Sequence, residues 1–407
     1  MTTTHRPEHS STDSQERAAS GRVRMLFGND LRASSGSLVI GLWVLTSLLV
    51  GIGLIMVLSA SSITSYLDNQ GFFGRFWRQA LFAVIGIPLM IITSRMPISF
   101  WKRWAWLFFI LGLGLQVLVF TSIGINMYGN RNWISLGGIS AQPSEVLKLA
   151  LIVWIGLVLL RKERLLHQVK HELIPVIVPG ALLALGLVLL GDDLGTTLIM
   201  AAAVIGAMYF GGVSWKSLAI VIGSGVLAAL FFLFSSQNRM NRLLTLAGGN
   251  EDYSGLGWQP LHGLWALAGG GFLGTGIGGS KAKWSWLPAA DNDYIFSIIG
   301  EEAGLVGAVF VILLFVMLAF VMLRVIGQAR DRFGRAVVGG IMVWITGQAF
   351  VNIGVVIGVL PVLGVPLPLI SSGGTALLSC LLAMGVVISI ARDGAAYQAE
   401  QRATGAQ

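Results

Sequence analysis

Along this chain the apolar positions gather into long runs, without the alternation of a strand or the three-and-four spacing of a soluble helix. Runs long enough to cross a bilayer fall at about 37–60, 77–95, 103–123, 144–160, 172–190, 194–211, 215–235, 294–325, 336–360 and 367–391. They predict an all-α polytopic membrane protein of about ten transmembrane helices. The polar stretches complete the organisation. Residues 1–34, rich in Ser, Thr and Arg and without an apolar core, predict a disordered cytoplasmic tail and not a cleavable signal peptide. Residues 35–392 form the transmembrane domain, and 393–407 a cytoplasmic tail.

Basic residues set the orientation. With the N-terminus inside, cytoplasmic segments hold 19 of the 27 lysines and arginines, so both termini are expected in the cytoplasm. Two outer loops then exceed simple connections: 124–143, and 236–293 between the seventh and eighth spans. The second carries Trp258, Trp265, Trp284 and Trp286, too aromatic for a linker, and predicts short helices at the outer interface.

Composition agrees. Of 407 residues, 55% are hydrophobic and 11% charged, where a soluble chain carries about a quarter charged. The net charge of +8 fits cytoplasmic loops near anionic lipid and calls for no nucleic acid. The single cysteine, Cys380, lies in an apolar run and reads as a small buried hydrophobe. The five histidines lack the spacing of a zinc site.

Four polar constellations stand out. The run 269-GGGFLGTGIGGSK-281 contains G-x-G-x-x-G, but no strand precedes it and its order is G-S-K, so nucleotide binding is rejected. It predicts close backbone approach, with Lys281 and Lys283 facing outward where an anionic head group could sit. In 143-PSEVLKLALI-152, proline opens a helix and Glu145 and Lys148 share a face at i and i+3. They are either a mutually neutralising pair or the lining of a polar cavity, and the cavity is preferred. Asp193 of 191-GDDLGTTL-198 is expected to cap the following helix. Finally, 287-LPAADNDYIFSIIGEEAG-304 sets Asp291, Asp293, Glu301 and Glu302 at the entry to an apolar run. A helix starting near Asp293 would place Asp293, Ser297, Gly300, Gly304 and Gly307 along one small-residue face. From these residues alone, Asp293 is equally a helix cap or a functional acid.

These segments, in this order, resemble the SEDS family of bacterial cell-wall proteins (shape, elongation, division and sporulation). The resemblance runs from GLIMVLSASS (53–62) to LPLISSGGTALL (367–378), through QPSEVLKLA, GDDLGTTL, LPAADNDYIFSIIGEEAGLVG and VNIGVVIGVLPVLGVPLPLISSGGT. The LSASS and PLISSGGT pieces look more like the division branch than the elongation branch. The resemblance implies a peptidoglycan glycosyltransferase that joins lipid II units into β-1,4 glycan at the outer membrane face. It implies a class B penicillin-binding protein as partner, among other division proteins.

Residue by residue, the resemblance places an essential aspartate on Asp293 and the P-S-E-x-x-K pair on Glu145 and Lys148. It places a loop glutamine on Gln259 and a lysine ahead of L-P on Lys283. Arg131, Ser372 and Gly373 join these as candidate substrate-binding residues. The chain also departs from the family pattern: Ala289, Asp291 and Asn292 replace a common Glu, His and Thr, Asn132 stands before Trp133, and Ser140 replaces a basic residue. Asp291 could tune Asp293, or hold a divalent cation such as Mg or Mn. For sugar transfer, a carboxylate would activate the acceptor hydroxyl. Lys148, Arg131, Lys283 or a metal would stabilise the departing diphosphate. The competing readings are a lipid II flippase, an elongation paralogue and a non-catalytic scaffold. The flippase is disfavoured because the acids gather on one side.

Overall fold

The computed structural model describes residues 35–405 apart from 128–129, 137–138, 167, 236–239 and 241–256. The expected tail 1–34 and most of 236–256 therefore lie outside the described residues. The apolar runs form helices α1 (Ser35–Leu67), α2 (Gly74–Arg95), α3 (Ile98–Leu118), α4 (Pro143–Arg161), α5 (Val169–Leu190), α6 (Leu194–Phe210) and α7 (Trp215–Phe234). A short α8 (Trp258–Gly269) precedes α9 (Ile295–Gln328), α10 (Arg332–Val356) and α11 (Gly374–Gly405). Among the described residues nine helices are long and apolar enough to cross a membrane, and the 17-residue α6 supplies the tenth expected span. The protein is a multi-pass membrane protein.

Helix starts follow local chemistry. Pro143 occupies the first turn of α4, where its missing N–H costs nothing. Asp193 caps α6 by accepting from Thr196 N at 2.9 Å, as expected. Ser214 and Asp331 cap α7 and α10 in the same way. The expected last span, 367–391, instead begins at Gly374. The preceding 361–373 is non-helical, fastened by side chains of α2 and α10, and α11 continues to Gly405.

The all-α expectation needs one small correction. The loop after α3 folds into an antiparallel sheet of β1 (Gly124–Met127), β2 (Asn130–Leu136) and β3 (Ile139–Ala141), in the order β1-β2-β3. Alternation in 130-NRNWISL-136 puts Asn132 and Ile134 inward, and both are buried.

The bundle is layered by burial. In α4 and α10, 78% of the apolar window is buried, against 11% in α7. The first two are therefore core helices and α7 is peripheral. Helix α10 packs on α4 and α6, α9 packs on α1, and α11 packs on α2. Cys380 is buried in this core, as its setting implied.

The small-residue face does not form as expected. Asp293 lies before α9, and the helix breaks at Gly304, with φ 65° and ψ −167°. A Cβ there would stand 2.4 Å from Gly274 N and 2.5 Å from Phe272 O. The glycine run 269–281 is what fills the break. Thr275 N and Gly276 N donate to the carbonyls of Glu301 and Glu302, while Leu305 N and Val306 N donate to Gly271 O and Phe272 O. Backbone meets backbone here, so the run serves close approach, as the sequence suggested.

Candidate active site

The short stretch 291–293 lies where the loop before α9 meets the 361–373 loop. Its three successive carbonyls are each held by the α10–α11 half of the chain. Ser372 N donates to Asp291 O at 2.8 Å, and Ser371 Oγ to Asn292 O at 2.7 Å. Asn352 Nδ2 donates to Asp293 O at 2.7 Å and to Val365 O at 2.8 Å. Gln79 of α2 fastens the same loop, donating to Ser371 O and accepting from Gly373 N. Ser372 and Gly373, expected at the substrate, thus contribute backbone N–H groups to this framework. Directly after Asp293, Tyr294 is fully buried against α8 and anchors the start of α9.

The two aspartates have different surroundings. Asp291 is buried, and both its carboxylate oxygens lie 3.0 Å from Arg75 Nη1. Arg75 also pairs with Asp68 at 2.8 Å. Asp293 is half-buried, and its Oδ2 lies 3.8 Å from where a Cβ on Gly364 would stand. On that side the carboxylate faces a glycine of the 361–373 loop.

A divalent ion beside Asp291 does not fit these residues. Its carboxylate already faces a guanidinium that takes both oxygens. Among the described residues, no group of three or more His, Cys, Asp or Glu is placed to hold a metal.

The lysines expected to meet an anionic head group are arranged differently from one another. Lys283 turns inward, a correction to its expected outward direction. Its Nζ lies 3.3 Å from Glu302 Oε1, 3.2 Å from Ser59 Oγ and 2.6 Å from Gly278 O. Burial of Glu302 among backbone and α1 draws the lysine in with it. Lys281 does stay exposed, as expected. Glu301 secures the same loop by accepting from Lys281 N at 2.8 Å and Ala282 N at 3.3 Å. Lys148 pairs with Glu145 at 2.8 Å, and both side chains are buried. Its Nζ also reaches Gln348 Oε1 at 3.3 Å and lies 4.9 Å from the centre of the Trp344 ring. Gln348 in turn donates to Pro366 O, so this pair is tied to the 361–373 loop.

Gln259 of α8 donates to Pro288 O at 3.0 Å, three residues before Asp291. Arg131 is exposed, and its guanidinium donates to Val119 O and Thr121 O beyond α3. Asn132 does more than stand before a tryptophan. It is fully buried, donating to Asp193 Oδ2 at 2.6 Å and to Ser144 Oγ at 2.9 Å. Arg78 Nη2 donates to Ser140 Oγ at 2.8 Å, bringing a cation to the place where the chain has serine.

Arg75, Gln79, Asn352 and Ser371 were not singled out from the sequence. A signal was present. Arg75 and Gln79, like Gln348 and Asn352, are polar pairs at i and i+4 on apolar helices, where polar groups are rare.

Comparison with known proteins decides the family. Residues 40–395 match the family of cell cycle proteins that groups FtsW, RodA and SpoVE. The chain belongs to this family. Among FtsW/RodA/SpoVE proteins, it is 38% identical over 347 residues to the probable peptidoglycan glycosyltransferase FtsW of Mycobacterium tuberculosis. That match covers 85% of the chain and 66% of the relative, so the chain spans just under two thirds of the mycobacterial protein's length. It is 34% identical to stage V sporulation protein E of Bacillus subtilis, over 86% of this chain and 95% of that one. In structure it resembles a chain from a peptidoglycan synthase complex that coordinates polymerization and crosslinking. The TM-score is 0.71 at 25% identity, covering 87% of this chain and 97% of the other. RodA of Thermus thermophilus shares the fold, with a TM-score of 0.63 at 23% identity.

Proposed function

We propose that this chain is a peptidoglycan glycan-strand polymerase, joining lipid II units by β-1,4 transglycosylation and releasing undecaprenyl diphosphate. It works at the outer face of the cytoplasmic membrane, with both termini in the cytoplasm, and in cell division. A class B penicillin-binding protein cross-links the product. Support comes from the relatives' names, from the likeness to a peptidoglycan synthase complex and from the basic residues of the predicted cytoplasmic segments.

The observation that carries the reading is the contrast between Asp291 and Asp293. One carboxylate is buried and bound by arginine, while the other is half-buried beside Gly364 on a stretch held at every carbonyl. Asp293 accepts the proton of the acceptor's 4-hydroxyl as that oxygen attacks the donor's anomeric carbon. The bond from that carbon to the diphosphate breaks with inversion, and the diphosphate leaves with the electron pair. Lys148 and Lys283 are each neutralised by a buried glutamate, so they act as supports for the site. Arg78, bonded among the described residues to a neutral serine, is a guanidinium placed to face the departing diphosphate, alongside the exposed Arg131. No step runs through a metal ion.

The test is polymerisation of labelled lipid II by the purified full chain, alone and with the transpeptidase. Long glycan strands are expected. A preparation that moves lipid II across vesicles but makes no strands under either condition would establish the flippase reading instead.

A further inference from the structure

We infer that Asn352 is a positioning residue that fixes the backbone of Asp293, and with it the carboxylate, against the segment of Gly364. The inference rests on the polymerase reading, with Asp293 as its base.

Asn352 lies in α10, within an apolar run, and is 1% exposed. A polar side chain so placed needs partners, because burial without them costs about 1–3 kcal/mol. Its two partners are both backbone carbonyls, Asp293 O and Val365 O. Both are acceptors, so the amide nitrogen must face them and the orientation of the group is settled by chemistry. One nitrogen therefore ties the strand carrying the carboxylate to the residue after Gly364.

That position sets a distance. Gly364 has φ 65°, and a Cβ on it would stand 3.8 Å from Asp293 Oδ2. On the polymerase reading the acceptor hydroxyl meets this carboxylate, so the spacing of residues 293 and 364 bears on proton transfer. Ser371 and Ser372 hold the two preceding carbonyls, and Ser371 Oγ also accepts from Leu367 N, but neither bonds Asp293 itself. Gln348, one turn before Asn352, fastens Pro366 O to Lys148 and Glu145. Helix α10 thus presents two consecutive amides to consecutive carbonyls, and it is Asn352 that reaches the base.

A misplacement of about 1 Å at a reacting group costs roughly 100-fold in rate. Asn352→Ala removes the tie without touching substrate. In the purified full chain, with its transpeptidase, kcat for lipid II polymerisation is expected to fall between about 10- and 100-fold. KM should stay within a factor of about two, since substrate contacts are intact. Asn352→Gln keeps an amide donor and should recover part of the lost kcat even if both variants melt earlier. Retained kcat in Asn352→Ala, KM rising in step with the loss, or Asn352→Gln no better than alanine would each overturn the inference. Asp293→Asn run alongside separates the two claims. If it stays active, the base assignment fails and the inference with it. If it is dead while Asn352→Ala works fully, only the inference fails.

Discussion

The pairs Glu145–Lys148 and Glu302–Lys283 share chemistry and burial but differ in what they join. The first closes within one helix at i and i+3, and its lysine then reaches Gln348 and Trp344 on α10. The second spans 19 residues, locking the glycine-rich loop to α9 and, through Ser59, to α1. Both lysines invite assignment to an anionic ligand. The difference teaches that a lysine near a site is first to be asked what already neutralises it. In a medium of low dielectric a buried charge is held by its partner before any ligand arrives.

The largest effect should come from breaking the longer pair. Glu302→Ala leaves Lys283 buried without its carboxylate, a loss of about 3–5 kcal/mol. It should appear as a marked drop in melting midpoint of the purified protein, along with lost activity. An unchanged midpoint would mean that the loop is held by backbone contacts alone.

Glu145→Ala is expected to cost less, roughly 2 kcal/mol, because Glu302 also accepts from Ser59 Oγ and Ser280 N, and those bonds are lost with it. The two variants compared by thermal melting sharpen the contrast. A larger loss at Glu145 would reverse the ranking proposed for the pairs.

The smallest effect on stability, and a selective one on function, is expected at Arg78. Arg78→Ala removes a single bond to a neutral serine, so the melting midpoint should hold. If its guanidinium faces the diphosphate, KM for lipid II should rise about tenfold, with Arg78→Lys in between. An unchanged KM would remove Arg78 from the mechanism.

How much of this was legible in the sequence follows from the range of each interaction. Glu145–Lys148 and the Asp193 cap are local, and helix geometry places them from spacing alone. The ten spans are equally local, since each satisfies its own backbone. The inward turn of Lys283 was not legible, because it depends on Ser59, 224 residues away in sequence. Nor was the break at Gly304. An apolar run reads as one helix until a second backbone is seen to press on it, and the small-residue face drawn through Gly304 dissolved for that reason. The non-helical 361–373 loop escaped too, because apolar composition masked its role as a bed for 291–293. Asp291 and Asp293 looked alike two residues apart. The structure separates them through Arg75, whose spacing from Asp291 no local pattern carries.

That separation is the central claim, and one assay tests it most directly. Asp293→Asn and Asp291→Asn are compared for lipid II polymerisation by the purified full chain with its transpeptidase. Asp293→Asn is expected to make no glycan strands, while Asp291→Asn, folded but with a weakened Arg75 contact, retains measurable synthesis. Full polymerisation by Asp293→Asn together with its loss in Asp291→Asn would contradict the account.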